Sequence, residues 1–139
     1  MRYLIIGLGT FGRRLAEELT DNGHDVVVVD SNRHRVEYIK ERVSVAYIMD
    51  ASEKEALKSL PLDEFDCAVV TIGRSMESSL RTVAALKQLG VKKIYARAVD
   101  HTHKSILVAM EIHKIFIPES YSARIFACKI VGDEDFIME

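Results

Sequence analysis

Proline and cysteine are scarce in this chain, two of each, and glycine is modest at seven. With so little Pro and Gly there is no low-complexity linker. The 139 residues are expected to be one compact domain with its own core. Cys67 and Cys128 lie far apart, with no C-x-x-C and no metal-ligand spacing. They are expected to be reduced thiols. No apolar run approaches the ~20 residues that a transmembrane helix needs. The opening MRYLIIG is broken by glycine too soon to be expected as a signal peptide. The net charge of -2 gives no electrostatic footprint for DNA or RNA, so no nucleic-acid partner is expected. No repeat of fixed period is visible.

What is present is apolar and patterned. Hydrophobic residues make up 48% and charged residues 29%, which excludes a disordered chain. Short β-rich runs alternate with longer amphipathic stretches. The expected strands are 3–6, 25–29, 45–48, 67–71, 93–96 and 114–117. Their apolar cores are mostly continuous, which predicts strands covered on both faces of a parallel sheet. Phe11, Leu15 and Leu19, with Ala16, form one stripe of a helix. Ser31 or Asn32 can cap a second helix carrying Val36 and Ile39. Ser52 and Glu55 read as a capping box. Further helices are expected over 75–88, closed by Gly90, over 102–112 and over 120–131. This alternation predicts an α/β fold: a Rossmann-like, doubly wound parallel sheet of six strands in the order 3-2-1-4-5-6.

Gly7-Leu8-Gly9-Thr10-Phe11-Gly12 matches G-x-G-x-x-G between an apolar run and an amphipathic stretch. Gly7 permits a tight turn, Gly9 leaves room for a pyrophosphate, and Gly12 lets the helix pack closely on the strand. The N–H groups and dipole at the helix start then attract phosphate. Asp30 ends the next strand, where a carboxylate can accept hydrogen bonds from both ribose hydroxyls and would repel a 2′-phosphate. Ser31 lies beside it. Arg33 and Arg35 follow and fit either a 2′-phosphate or a solvated helix face; Asp30 argues for the face. Asp50-Ala51-Ser52 follows the third strand, where a carboxylate can take a hydrogen bond from an adenine amine or merely cap a helix. Thr71-Ile72-Gly73 ends the fourth strand at the topological switch point, where ligands bind. Gly73 reads as room for nucleotide or as a plain loop glycine.

Such a cradle can serve an oxidoreductase or a sensor. The six strand-helix units are expected to use these 139 residues, with no second domain among them to hold a substrate. No Ser…Tyr-x-x-x-Lys pattern is present, since Tyr121 is followed by Ser122-Ala123-Arg124. His24, His34, His101, His103 and His113 are scattered, and are expected at helix starts and on the surface. A general acid or base at a hydride site is therefore missing. The helices over 76–89, 106–112 and 125–131 are apolar over more than one stripe, which suggests self-association or a large core.

These residues together resemble the nucleotide-binding lobe of RCK (KTN) domains, the TrkA N-terminal type that regulates potassium uptake systems and gated potassium channels. The likeness rests on GLGTFG, VVVVDSN, MDASEKEAL, FDCAVVTIG, KKIYARAVD and IPESYSA, in this order, and covers nearly the whole chain. The resemblance implies a single RCK N-terminal domain over 1–139, with a last helix over about 119–132 of the kind that often crosses to a partner. Family members often continue into a small C-terminal lobe, and none is expected within these 139 residues. It implies a cytoplasmic regulator without a reaction of its own, peripheral to the inner membrane face. The lobe would bind ATP/ADP or NAD(H) and control a membrane potassium transporter or channel subunit. It would work as a homodimer, with an octameric ring as the family's larger assembly.

Nucleotide contacts carry over to Gly7, Gly9, Thr10, Phe11 and Gly12 of the loop, and to Asp30, Ser31 and Arg33 beyond it. On the adenine side and past the switch point they carry over to Asp50, Ala51, Ile72 and Gly73. Arg97 stands where the family has a basic residue near the phosphates or the dimer seam. Glu119 stands where some members hold a divalent cation between protomers, or is a solvated helix-start glutamate. One departure is Thr10, where nucleoside-triphosphate-reading members carry Arg. ATP, ADP and NAD(H) stay open, with Arg13 and Arg14 close by. A small NAD-dependent oxidoreductase, or an interaction module that binds no nucleotide, are the other readings.

Overall fold

The six apolar runs become six parallel strands in the order β3-β2-β1-β4-β5-β6. They are β1 (Arg2–Ile6), β2 (Asp25–Asp30), β3 (Val45–Ile48), β4 (Cys67–Val70), β5 (Ile94–Arg97) and β6 (Lys114–Phe116) in the computed structural model. Each lies within one residue of the expected bounds at either end. The helices are α1 (Thr10–Asp21), α2 (Arg33–Ile39), α3 (Lys54–Leu57), α4 (Met76–Gln88), α5 (His101–Ala109) and α6 (Pro118–Gly132). The structure describes residues 1–112 and 114–132; His113 and the tail after Gly132 lie outside the described residues.

Alternation along each strand divides the core. Leu4, Ile6, Val27, Val29, Ala68 and Val70 face Leu57, Val83, Leu86 and Leu107 from α3, α4 and α5. Ile5, Val26, Val28 and Val69 face Ala16, Val36 and Ile39 from α1 and α2. Each fully buried Val, Ile or Leu contributes roughly 1.5–3 kcal/mol by leaving water. Continuous apolar runs are covered on both faces in β2 and β4. They are not in β3, an edge strand whose Val45 and Ile48 stay exposed.

Local chemistry sets most helix ends. Asn32 caps α2 through the Arg35 N–H, and Ser75 caps α4 through that of Ser78. Gly90 closes α4 with φ +86°. Two expectations fail. The Ser52–Glu55 capping box does not form: Asp50 takes both the Ser52 N–H and its hydroxyl, and α3 starts later, after Glu53. Helix α5 stops at Ala109 because Glu111 turns left-handed with φ 60°. Helix α6 begins at Pro118, earlier than expected, as suits a residue with no N–H to satisfy.

His103 is a third correction. It is not a surface histidine but fully buried. His101 remains exposed, because residues two apart on a helix diverge. His103 Nδ1 accepts from the Val99 N–H at 3.0 Å, so the ring proton is assigned to Nε2, 3.1 Å from Ser79 Oγ. Burial holds this imidazole below its usual range, with Asp100 opposing. The Cys67 thiol, buried in β4, is pushed up to about 11 mainly by burial and is inert.

Gly12, at the start of α1, lies against the Gly7 carbonyl. A Cβ there would overlap that oxygen and sit 2.5 Å from Thr71 Oγ1. Gly12→Ala is expected to destabilise the fold by about 3 kcal/mol or more through overpacking against backbone, measured by urea denaturation. The unfolded chain protonates His103 near pH 6.5, the folded chain only at lower pH. The stability held by the neutral ring is thus full above that value and lost as pH falls. His103→Leu should cost about 2 kcal/mol at pH 7.5 by stranding its two partners. The same variant should flatten the decline of stability between about pH 7 and 5, measured by denaturation at a series of pH values.

Candidate functional site

A cleft of about 440 Å³ opens above the C-terminal ends of β1, β2, β4 and β5. That is a ligand-sized volume at the position where the strand order reverses. The chain makes it by sending β2 and β3 to one side of β1, and β4, β5 and β6 to the other.

The glycine loop forms its floor. Gly7 has φ +107°, and its N–H donates to the Val29 carbonyl. Thr71 Oγ1 donates to the carbonyls of Ile6 and Gly7, tying the loop to the end of β4. Gly9 is the N-cap of α1, and a Cβ there would meet nothing within 4 Å. The first intrahelical bond runs from the Arg13 N–H to the Gly9 carbonyl, and no side chain caps the helix. The N–H groups of the first turn therefore face an open space that an anion can fill.

The charges agree. The first turn of α1 has no acidic residue and ends on Arg13, with Arg14 next; that of α2 has none and carries Arg33 and Arg35. Cations at helix starts oppose the dipole unless an anion joins them. Arg14 is partly neutralised by Glu17 and Glu18, and Arg13 lies over the Tyr38 ring.

Asp30 is buried where β2 ends. Its Oδ2 accepts from the Leu8 N–H at 2.7 Å, its Oδ1 from the Asn32 N–H at 2.7 Å, and Arg35 Nη1 stands 3.8 Å away. The carboxylate thus braces the glycine loop against the β2–α2 turn. Each oxygen keeps a second lone pair for a ribose hydroxyl. Asp50 uses Oδ1 for Ser52 and lies exposed at the rim.

Most expected contacts converge on this cleft. Gly7, Gly9, Thr10, Asp30 and Ser31 line it on one side, and Asp50, Ala51, Ile72, Gly73 and Arg97 complete it. Three do not line it. Phe11 turns toward β6, its ring 5.2 Å from that of Phe116. Gly12 is buried beneath the loop, where it serves packing. Arg33 is exposed outside, and Arg35, two residues further along α2, takes the inner position, within 3.8 Å of Asp30. The guanidinium of Arg97 fills the space that Gly73 leaves, with Nη1 2.8 Å from where a Cβ would be. Arg97 Nη2 donates to Glu119 Oε1 at 2.8 Å. Ser75 and Ser78, from the start of α4, also line the cleft. The sequence placed Ser75 only as the first residue of a helix, and only the approach of α4 to β4 brings it to the cleft.

The comparisons agree with this geometry. The TrkA-N domain family matches residues 3–118. The Ktr system potassium uptake protein C of Bacillus subtilis is 32% identical over 131 residues, 94% of this chain and 59% of the relative. The chain spans about half the length of the curated relatives it matches. The NAD(P)-binding domain of an exopolyphosphatase-related protein from Archaeoglobus fulgidus superposes with a TM-score of 0.83 at 22% identity, covering 94% of this chain and 98% of that one. The AMP-bound Kef CTD of Shewanella denitrificans gives 0.75 at 19% identity, covering 96% and 83%. The latter two likenesses establish the Rossmann-like fold. By its glycine loop, its strand order and the family match along most of its length, the chain belongs to the TrkA-N domain family.

Proposed function

We propose that this chain is the nucleotide-reading lobe of a potassium uptake regulator. It binds ATP/ADP or NAD(H) in the cleft without reacting with it, and passes occupancy to a membrane potassium transporter or channel subunit. The observation that carries this is the uncapped start of α1 beside Asp30. Open N–H groups, an open space at Gly9 and a braced carboxylate fit a phosphate and its ribose. The Ktr relative supports the potassium role, and the solved neighbours described as NAD(P)-binding and AMP-bound support an adenine nucleotide.

Reading rather than reaction is supported by the lining. Among the described residues it contains no His, Lys, Cys or Tyr, the side chains most suited to acid/base work near neutral pH besides perturbed carboxylates. Self-association is supported by α6, where Tyr121, Ile125, Ile130 and Val131 are exposed. On α5, Ile106 and Val108 are exposed as well. The breadth of α4, by contrast, is largely used by the chain's own core, which holds Val83, Ala85 and Leu86. No helix among the described residues is long and apolar enough to cross a membrane, and the reading places the chain at the cytoplasmic face of a pore partner. A divalent cation at Glu119 would need ligands from a second copy. Within this chain Glu119 is engaged by Arg97, and no three His, Cys, Asp or Glu gather at one point among the described residues.

Calorimetry and thermal unfolding with ATP, ADP, AMP, NAD and NADH test the reading. A ligand at 100 times its dissociation constant should add about 2.7 kcal/mol of stability. Gly9→Ala meets no protein atom, so it should stay within about 1 kcal/mol of the parent in stability. It should bind nucleotide at least about tenfold more weakly, because the methyl takes the phosphate's place. No binding by the parent chain, or NADH turnover with a carbonyl substrate, would overturn the proposal. Sedimentation showing a strict monomer with and without nucleotide would overturn the regulatory assembly.

A further inference from the structure

Arg97 belongs to two places at once. It ends β5 and lines the cleft, on the far side of the β1–β4 junction from Asp30. Its side chain is only 18% exposed, and its Nε is buried without a hydrogen-bond partner. Its guanidinium rests over the Gly73 backbone, a position that exists because residue 73 has no Cβ. At the same time Nη2 holds Glu119, in the first turn of α6. Helix α6 is exposed from Glu119 to Gly132, whereas Pro118, its first residue, is buried.

Asp30, Gly9 and Arg97 line one cleft, so a nucleotide with its ribose at Asp30 and its first phosphate over Gly9 would have Arg97 in the same cavity for its further phosphates. We infer that Arg97 is the charge that the distal phosphate and Glu119 compete for, so that a di- or triphosphate loosens the first turn of α6. This deepens the nucleotide reading above and rests on it. Two anions sharing one cation repel each other, so the carboxylate and the distal phosphate weaken one another's hold. Linkage makes the effect reciprocal: whatever removes the Glu119 charge must tighten the phosphate. Monophosphates, which end at the loop, are outside the competition.

The effects differ in size because the two partners differ in burial. Glu119 is 68% exposed, so its hold on Arg97 is largely screened and worth roughly a twofold to fivefold change in binding. A phosphate in the cleft meets a guanidinium shielded from water, and that charge-assisted contact is worth about tenfold or more.

Calorimetric titration of AMP, ADP and ATP into the chain and its Arg97→Gln, Glu119→Gln and double variants tests the inference. Glu119→Gln, on the surface, should tighten ATP and ADP by about twofold to fivefold and leave AMP unchanged. Arg97→Gln should weaken ATP and ADP by about tenfold relative to AMP. In the Arg97→Gln background the Glu119 substitution should have no further effect. Hydrogen exchange over 118–124 should rise on adding ATP and not on adding AMP. If AMP and ATP both bind the parent chain and Glu119→Gln leaves ATP affinity unchanged or weaker, the competition is overturned and the nucleotide reading stands. If no nucleotide binds the parent chain, both fall together.

Discussion

Gly12 has to lie against the Gly7 carbonyl for α1 to begin where it does, and the cleft takes its shape from that approach. The contact leaves no room for a Cβ, and Thr71 closes it from the third side by donating to the same carbonyl. Three elements, β1, α1 and β4, are thereby locked at their ends by backbone rather than by long side chains. Backbone contacts of this kind have little slack, which is why the loop can hold its N–H groups in place with no side-chain cap. The stripe of apolar residues beneath α1 supports the helix but does not set its height above the sheet.

The charges around the cleft disagree with helix stability and agree with anion binding. Cations stand in the first turns of α1 and α2, where the dipole favours acids. Each misplacement costs a few tenths of a kcal/mol when exposed, so the fold tolerates several of them. Asp30 works in the opposite sense: it is a buried carboxylate satisfied by two backbone N–H groups, and it faces the same space. One group thus holds two turns together and still offers lone pairs to a ligand. Local rules broken around one cavity, with the broken rules sharing one electrostatic sense, mark a site where binding outweighs propensity.

Helix α6 stands outside what holds the fold together. The sheet and the first five helices supply the two cores, and α6 adds little to either. An exposed apolar helix joined to the cleft through Arg97 and Glu119 can change position without disturbing those cores. An element with so few buried apolar contacts sits at the low-stability end of a domain.

The sequence by itself determined the order of elements, the position of the cradle and most of the cleft lining. Strand bounds were legible because buried parallel strands read as apolar runs, and loop glycines because backbone approach leaves no substitute for them. Ten of the expected contacts meet at the cleft because they lie at strand ends and first turns, whose places a doubly wound topology dictates. Tertiary structure alone decided the rest. It buried His103, which was expected at the surface with the other scattered histidines, because α4 supplies Ser79 across the interface. It turned Arg35 inward and left Arg33 outside, a matter of rotation about a helix axis fixed only by packing. It laid Arg97 over Gly73 and joined it to Glu119, three residues on three separate segments. Periodicity and spacing act along the chain, while these contacts run across it, and only the packed sheet brings them together.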